Sequence, residues 1–139
     1  MELSAQYLLF NASIVLLIAL LCGVPYGQAI TKKKGDEVIR AWRLAHNSLS
    51  MGATTMIAIA AVLSFAPMSA GMQWVIAIAF IISGYGFCFA LTLEPFVGDR
   101  GLSWTGKWSN KVVFLGNVVG ASSSLIGAVV LVYASYLSI

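Results

Sequence analysis

The chain has 139 residues, 60% hydrophobic and only 9% charged, with a mean hydropathy of +0.91 and a formal net charge of +3. Soluble domains carry about 25% charged residues, so this composition excludes an ordinary soluble fold and places the chain in a bilayer. The positive residues gather in two short stretches, which removes the net charge as a nucleic-acid signal, and Cys22 and Cys88 both fall inside apolar runs, as buried thiols rather than a disulfide framework.

The first apolar segment runs from about Tyr7 to about Ile30. Its leader, MELSAQ, holds Glu2 and no Lys or Arg. With no basic n-region, the segment reads as a retained first helix and not as a signal peptide. The connection TKKKGDEVIR leads to a second segment, from about Ala41 to about Ala66. SFAPMSAGM leads to a third, from about Gln73 to about Leu93, and EPFVGDRGLSWTGKWSNK to a fourth, from about Val112 to about Leu137. Each reaches the roughly 20 residues that cross ~30 Å of hydrocarbon at 1.5 Å per residue. Helices are expected because lipid cannot satisfy open backbone groups, and none of the segments alternates as an outer-membrane strand does. The expectation is one all-α domain over residues 1–139, an antiparallel bundle of four transmembrane helices. GVPYG (Gly23 to Gly27) and GNVVG (Gly116 to Gly120) place small residues four apart, a spacing that lets membrane helices approach closely, and Ser122, Ser123 and Ser124 extend the small face of the fourth helix.

All eight Lys and Arg lie in or beside the first and third connections: Lys32, Lys33, Lys34, Arg40, Arg43, Arg100, Lys107 and Lys111. The positive-inside rule puts loops 31–40 and 94–111 in the cytoplasm and both termini outside. The lysine trio reads as a topology and lipid-headgroup signal, and Trp104 and Trp108 as interfacial aromatics.

Polar side chains at membrane depth face the bundle or a cavity, and are the functional candidates. They include Asn11, His46, Asn47, Ser50, Thr54, Ser83, Tyr85 and Asn117, with Arg43, Glu94, Asp99 and Arg100 at the cytoplasmic edge. His46 is the only histidine. It reads in three ways: hydrogen-bonded between helices or snorkelling, a metal or haem ligand, or a proton-handling group. By helical spacing Trp42 or Arg43 precedes it on one face, and Ser50 and Ala53 follow, a small-residue face with room for something flat. A closed zinc site needs four ligands, and a di-iron bundle needs Glu-x-x-His pairs; neither can be assembled from one histidine. A haem needs a single protein ligand. No phosphate loop, no Ser-His-Asp set and no intramembrane carboxylate of the kind ion pathways use is present.

Two stretches, RAWRLAHNSLSMGATTMIAIA and FVGDRGLSWTGKWSNKVVFLGNVVGA, resemble the styrene oxide isomerase family. That family opens its second helix with Arg-Ala-His, and an Arg-Ala-Leu-Ser-Phe stretch leads to its fourth; Arg100-Gly101-Leu102-Ser103-Trp104 is similar to the latter. The resemblance, over roughly residues 40 to 130, implies a homotrimer in a bacterial inner membrane with haem b between subunits. His46 would ligate ferric iron, which takes an epoxide oxygen. The carbon–oxygen bond opens, hydride migrates, and an aldehyde forms with no net redox change. Arg43, Arg100 and Lys107 lie on the side where the propionates need partners. The substrate expected is a small apolar aromatic epoxide reached from lipid. The sequence departs from the family at two places. The family asparagine two turns after the histidine falls near Met51 or Gly52, and its tyrosine near the end of the third helix falls near Leu91. Asn47, Tyr85 and Asn117 are the candidates to act in their stead. The departures also leave room for the chemistry of hydroxylaminobenzene mutases, similar in length, which rearrange an aromatic hydroxylamine to an aminophenol. A non-catalytic haem or quinone protein and a small transporter or scaffold are the other classes.

The charge pattern makes a direct prediction. On a cysteine-free background, Lys33→Cys and Lys107→Cys should react with a membrane-impermeant thiol reagent only after the cells are opened, and Ser69→Cys should react in intact cells.

Overall fold

The computed structural model describes residues 1–138, and among them the regular elements are four helices: α1 (Leu3–Thr31), α2 (Asp36–Phe65), α3 (Ala70–Val97) and α4 (Trp108–Tyr136). All four are long and apolar enough to cross a membrane, and the chain is an integral membrane protein built as a four-helix antiparallel bundle.

The helices outrun the apolar runs. α2 starts at Asp36, five residues before the apolar pattern, because Asp36 and Glu37 in its first turn suit the positive end of the helix dipole. α3 continues through Pro95 to Gly98, whose φ of 73° ends it, and α4 begins at Trp108 instead of about Val112. Helices of 28 to 30 residues are about 42–45 Å long, more than ~30 Å of hydrocarbon, so these turns stand among the headgroups. His46 is therefore about three turns into α2, where the apolar pattern alone suggests one and a half.

Two kinds of close packing hold the bundle. Along α1, Ala5, Leu8, Ala12, Val15, Ala19 and Cys22 are all buried. Along α2 the buried positions include Ala45, Leu49, Ala53, Met56, Ala60 and Leu63. These stripes repeat every seven residues or nearly so, the a and d pattern of a left-handed pair, with alanine at every second contact. Alanine has no side chain beyond Cβ, so the α1 and α2 backbones come close. The second contact is the crossing of α3 and α4. A Cβ on Gly86 would stand 2.9 Å from the Gly120 nitrogen and 3.0 Å from the Gly116 oxygen, so this crossing is backbone on backbone and GNVVG does pack helices. Among the described residues the α4 backbone packs against α3 alone and not against α1 or α2.

Polar contacts fasten the ends. At the end that carries the Lys- and Arg-bearing connections, Arg40 of α2 pairs with Glu94 of α3 at 2.9 Å, with Glu94 only 2% exposed, and the Trp42 ring meets Phe96 edge-on. At the far end the Ser4 hydroxyl donates to Gln73 Oε1 at 3.0 Å.

The alanine seam sets the energetics. Ala12→Leu forces bulk into a site with no exposure and should lower stability by about 1–3 kcal/mol. Leu17→Phe, on a largely exposed surface, should stay within about 0.5 kcal/mol. Thermal midpoints in detergent check both.

Candidate functional site

His46 follows the seam residue Ala45, and the close approach of α1 lets its ring reach backbone. Nδ1 lies 2.8 Å from the carbonyl oxygen of Ala19. A carbonyl only accepts, so Nδ1 carries the hydrogen and Nε2 keeps its lone pair. Metal-binding histidines are oriented in this way, by a donor bond from the other ring nitrogen. One turn along α1, a Cβ on Gly23 would stand 3.3 Å from both Nδ1 and Cε1 of the ring. Tyr26 stacks beside the imidazole, centroids 6.3 Å apart at 30°. GVPYG thus seats the imidazole: Gly23 leaves room for it, Tyr26 flanks it, and Gly27 meets nothing within 4 Å. One turn beyond His46, Ser50 Oγ is the one sealed side-chain oxygen or nitrogen without a hydrogen-bond partner among the described residues.

The described residues hold no group of three or more His, Cys, Asp or Glu that could bind a metal. His46 offers a single nitrogen, which is the protein ligand a haem requires. Arg43, one turn nearer the N-terminal end of α2, is exposed and makes no ion pair among the described residues.

The other sequence candidates stand apart from His46. Asn47 is exposed, with no side-chain hydrogen bond among the described residues, and lies about 100° round α2 from His46. The Tyr85 hydroxyl donates to Asn11 Oδ1 at 2.8 Å, tying α3 to α1. Asn117 Nδ2 donates to the carbonyls of Arg100 at 3.4 Å and Gly101 at 3.3 Å. It holds the α3–α4 connection onto α4, and the exposed Arg100 belongs to that connection. Asn110 does the same, accepting from the Gly101 N–H at 2.9 Å.

Because α4 leans on α3 alone, a gap opens between α2 and α4 above α3. It is a cavity of about 440 Å³, within the range of small-molecule sites. Ser48, Gly52 and Thr55 line it from α2, and Ser83, Phe87 and Leu91 from α3. Val15 of α1 and Ser124 of α4 close it. Gly52 and Leu91 both line this space; Met51, the alternative to Gly52 in the sequence reading, is exposed on α2. Ser48, Gly52 and Thr55 lie about 120–180° round α2 from His46 at 100° per residue. Leu49 and Met56, which also line the cavity, lie about 60–80° from His46, so imidazole and the bulk of the cavity face different sides of the same helix. Sequence reasoning did not foresee the Ala19 carbonyl, the cavity or the place of Ser83 in it. The recurrence of alanine at 5, 12 and 19 was the available signal for the first.

Against known protein families, the model described as Styrene oxide isomerase matches residues 4–136. No curated protein matches the chain.

The seat of the imidazole is open to test, and one histidine makes its signals unambiguous. In ¹⁵N NMR of the cofactor-free protein, His46 should show the tautomer protonated at Nδ1. Gly23→Leu should displace the ring from Ala19 and convert that spectrum to a mixture of tautomers.

Proposed function

Since the chain belongs to the styrene oxide isomerase family, we propose that it isomerises a small apolar aromatic epoxide of the styrene oxide type to the aldehyde, with haem b held at His46. The observation that carries this reading is the 2.8 Å bond from His46 Nδ1 to Ala19, which leaves Nε2 as the nitrogen that would hold the iron of a haem. Ferric haem, when bound, supplies a Lewis acid for oxygen lone pairs without net redox change.

The chain's own residues do the rest. The Ala19 carbonyl holds the ring against rotation and makes Nε2 a better donor. Arg43 would pair with a propionate on the cytoplasmic side, and Arg100 would be the second cation available there. The walls of the cavity, mostly aliphatic and aromatic, hold an aromatic ring and keep out the water that would divert an opening epoxide to a diol. An apolar substrate enters from lipid. His46 and the bulk of the cavity face different ways, so one copy presents the imidazole and its neighbour presents the cavity. A closed head-to-tail ring satisfies that arrangement, and we take it to be a homotrimer in a bacterial inner membrane, loops 31–40 and 94–111 toward the cytoplasm.

A second substrate is favoured because the places expected for the family's asparagine, near Met51 or Gly52, and for its tyrosine, near Leu91, hold neither residue, and Gly52 and Leu91 line the cavity. An aromatic hydroxylamine, rearranged to an aminophenol, suits that changed lining.

Purified from haem-replete cells, the protein should show a high-spin ferric Soret band and convert styrene oxide to phenylacetaldehyde. His46→Ala should lose the band and the conversion together. A normal Soret band in that variant would sink the ligand assignment. Conversion of hydroxylaminobenzene with styrene oxide untouched would move the reading to the second substrate.

A further inference from the structure

Hydroxyls at membrane depth in this chain turn back onto their own helix. Ser13, Thr54, Thr55, Ser64, Thr92 and Ser122 each donate to the carbonyl four residues earlier. That is the usual way a helical Ser or Thr satisfies itself in a dry setting. Ser83 does not. It is 5% exposed, lines the cavity between α2 and α4, and makes no hydrogen bond among the described residues. Its oxygen is also not among the sealed atoms without a partner, where Ser50 Oγ stands alone. The little surface that Ser83 keeps therefore includes its hydroxyl, and the open space beside it is the cavity. Alanine at this place would avoid the free-energy cost of an unpaired buried donor.

We propose that the Ser83 hydroxyl is the hydrogen-bond donor of the substrate pocket, binding the oxygen of a weakly polar aromatic ligand whose ring lies among Phe87, Leu91 and the α2 wall. This rests on the isomerase reading above and names the group that orients the substrate in it. Ser83 is near the middle of α3, about 20 Å from either end, deep enough that water does not compete for the bond. An epoxide oxygen has two lone pairs, so it accepts from Ser83 on one and keeps the other. The donor also favours the negative charge that gathers on oxygen as the carbon–oxygen bond lengthens. Ser48, across the cavity on α2 and likewise without a side-chain hydrogen bond among the described residues, is not among the sealed unpartnered atoms and serves as the second polar contact.

The test compares two probes of one shape: styrene oxide, and phenylcyclopropane, in which a methylene replaces the oxygen. Binding of each to the holoprotein in detergent is measured, together with kcat/KM for styrene oxide. Ser83→Ala should weaken styrene oxide binding about three- to tenfold, lower kcat/KM at least as much, and leave phenylcyclopropane binding unchanged. Ser83→Thr, which keeps the hydroxyl, should restore the preference for the oxygen-bearing probe. Equal weakening of both probes would make Ser83 a packing residue and overturn the proposal, as would no change in either. In both of those outcomes a wild type that still converts styrene oxide keeps the isomerase reading. A wild type that binds neither probe would overturn both.

Discussion

Everything near His46 depends on how closely α1 and α2 approach. A side chain of one membrane helix reaches a backbone carbonyl of the next only when the two axes are drawn together, and leucines in the seam would hold them apart. Alanines at 5, 12 and 19 on α1 and at 45, 53 and 60 on α2 remove that spacing. The drive is packing and not the hydrophobic effect, since lipid tails are as apolar as the side chains they replace. Once the backbones are close, the imidazole meets Ala19 and Gly23 at distances that leave it little freedom, and its tautomer follows.

The α3–α4 crossing is built on the same physics with glycine in place of alanine, and its consequence is the opposite. Gly86, Gly116 and Gly120 bring α4 firmly onto α3, and among the described residues its backbone packs against neither α1 nor α2. The three other helices pack around one another, and the fourth stands off with a cavity under it. One kind of contact thus orders a histidine while the other keeps a space open. The Arg40–Glu94 pair and the Trp42–Phe96 contact then lock the start of α2 to the end of α3, which fixes one wall of the cavity against its floor. A buried carboxylate such as Glu94 tolerates this position only because Arg40 is there to meet it.

The candidate polar residues sort by what they bond. Tyr85 with Asn11, and Asn117 with the α3–α4 connection, spend their donors on joining elements of the fold. Asn47 is exposed and bonds to none of the described residues. Ser83, which no motif marks, faces the cavity from α3 with a free donor, as Ser48 does from α2. Residue type and depth put all of these among the candidates, but they carry no information on which neighbour a donor meets.

Composition, four apolar runs and the gathering of Lys and Arg were enough to establish the helices and their number, because a bilayer demands length and hydrophobicity that are local properties of the chain. The single histidine also limited the chemistry, since one ligand excludes every metal site that needs several, and the motifs around His46 and Arg100 pointed to the family. Helix ends were misplaced by up to five residues at Asp36, where the backbone continues in water beyond any apolar signal. What only the tertiary structure decided was direction. Whether GVPYG packs a helix or seats an imidazole, whether Gly52 and Leu91 share a space, and that the bulk of this space lies on a different side of α2 from His46 all depend on which helices touch. That is set by the shapes of seams formed between segments distant in sequence, and no local pattern records it.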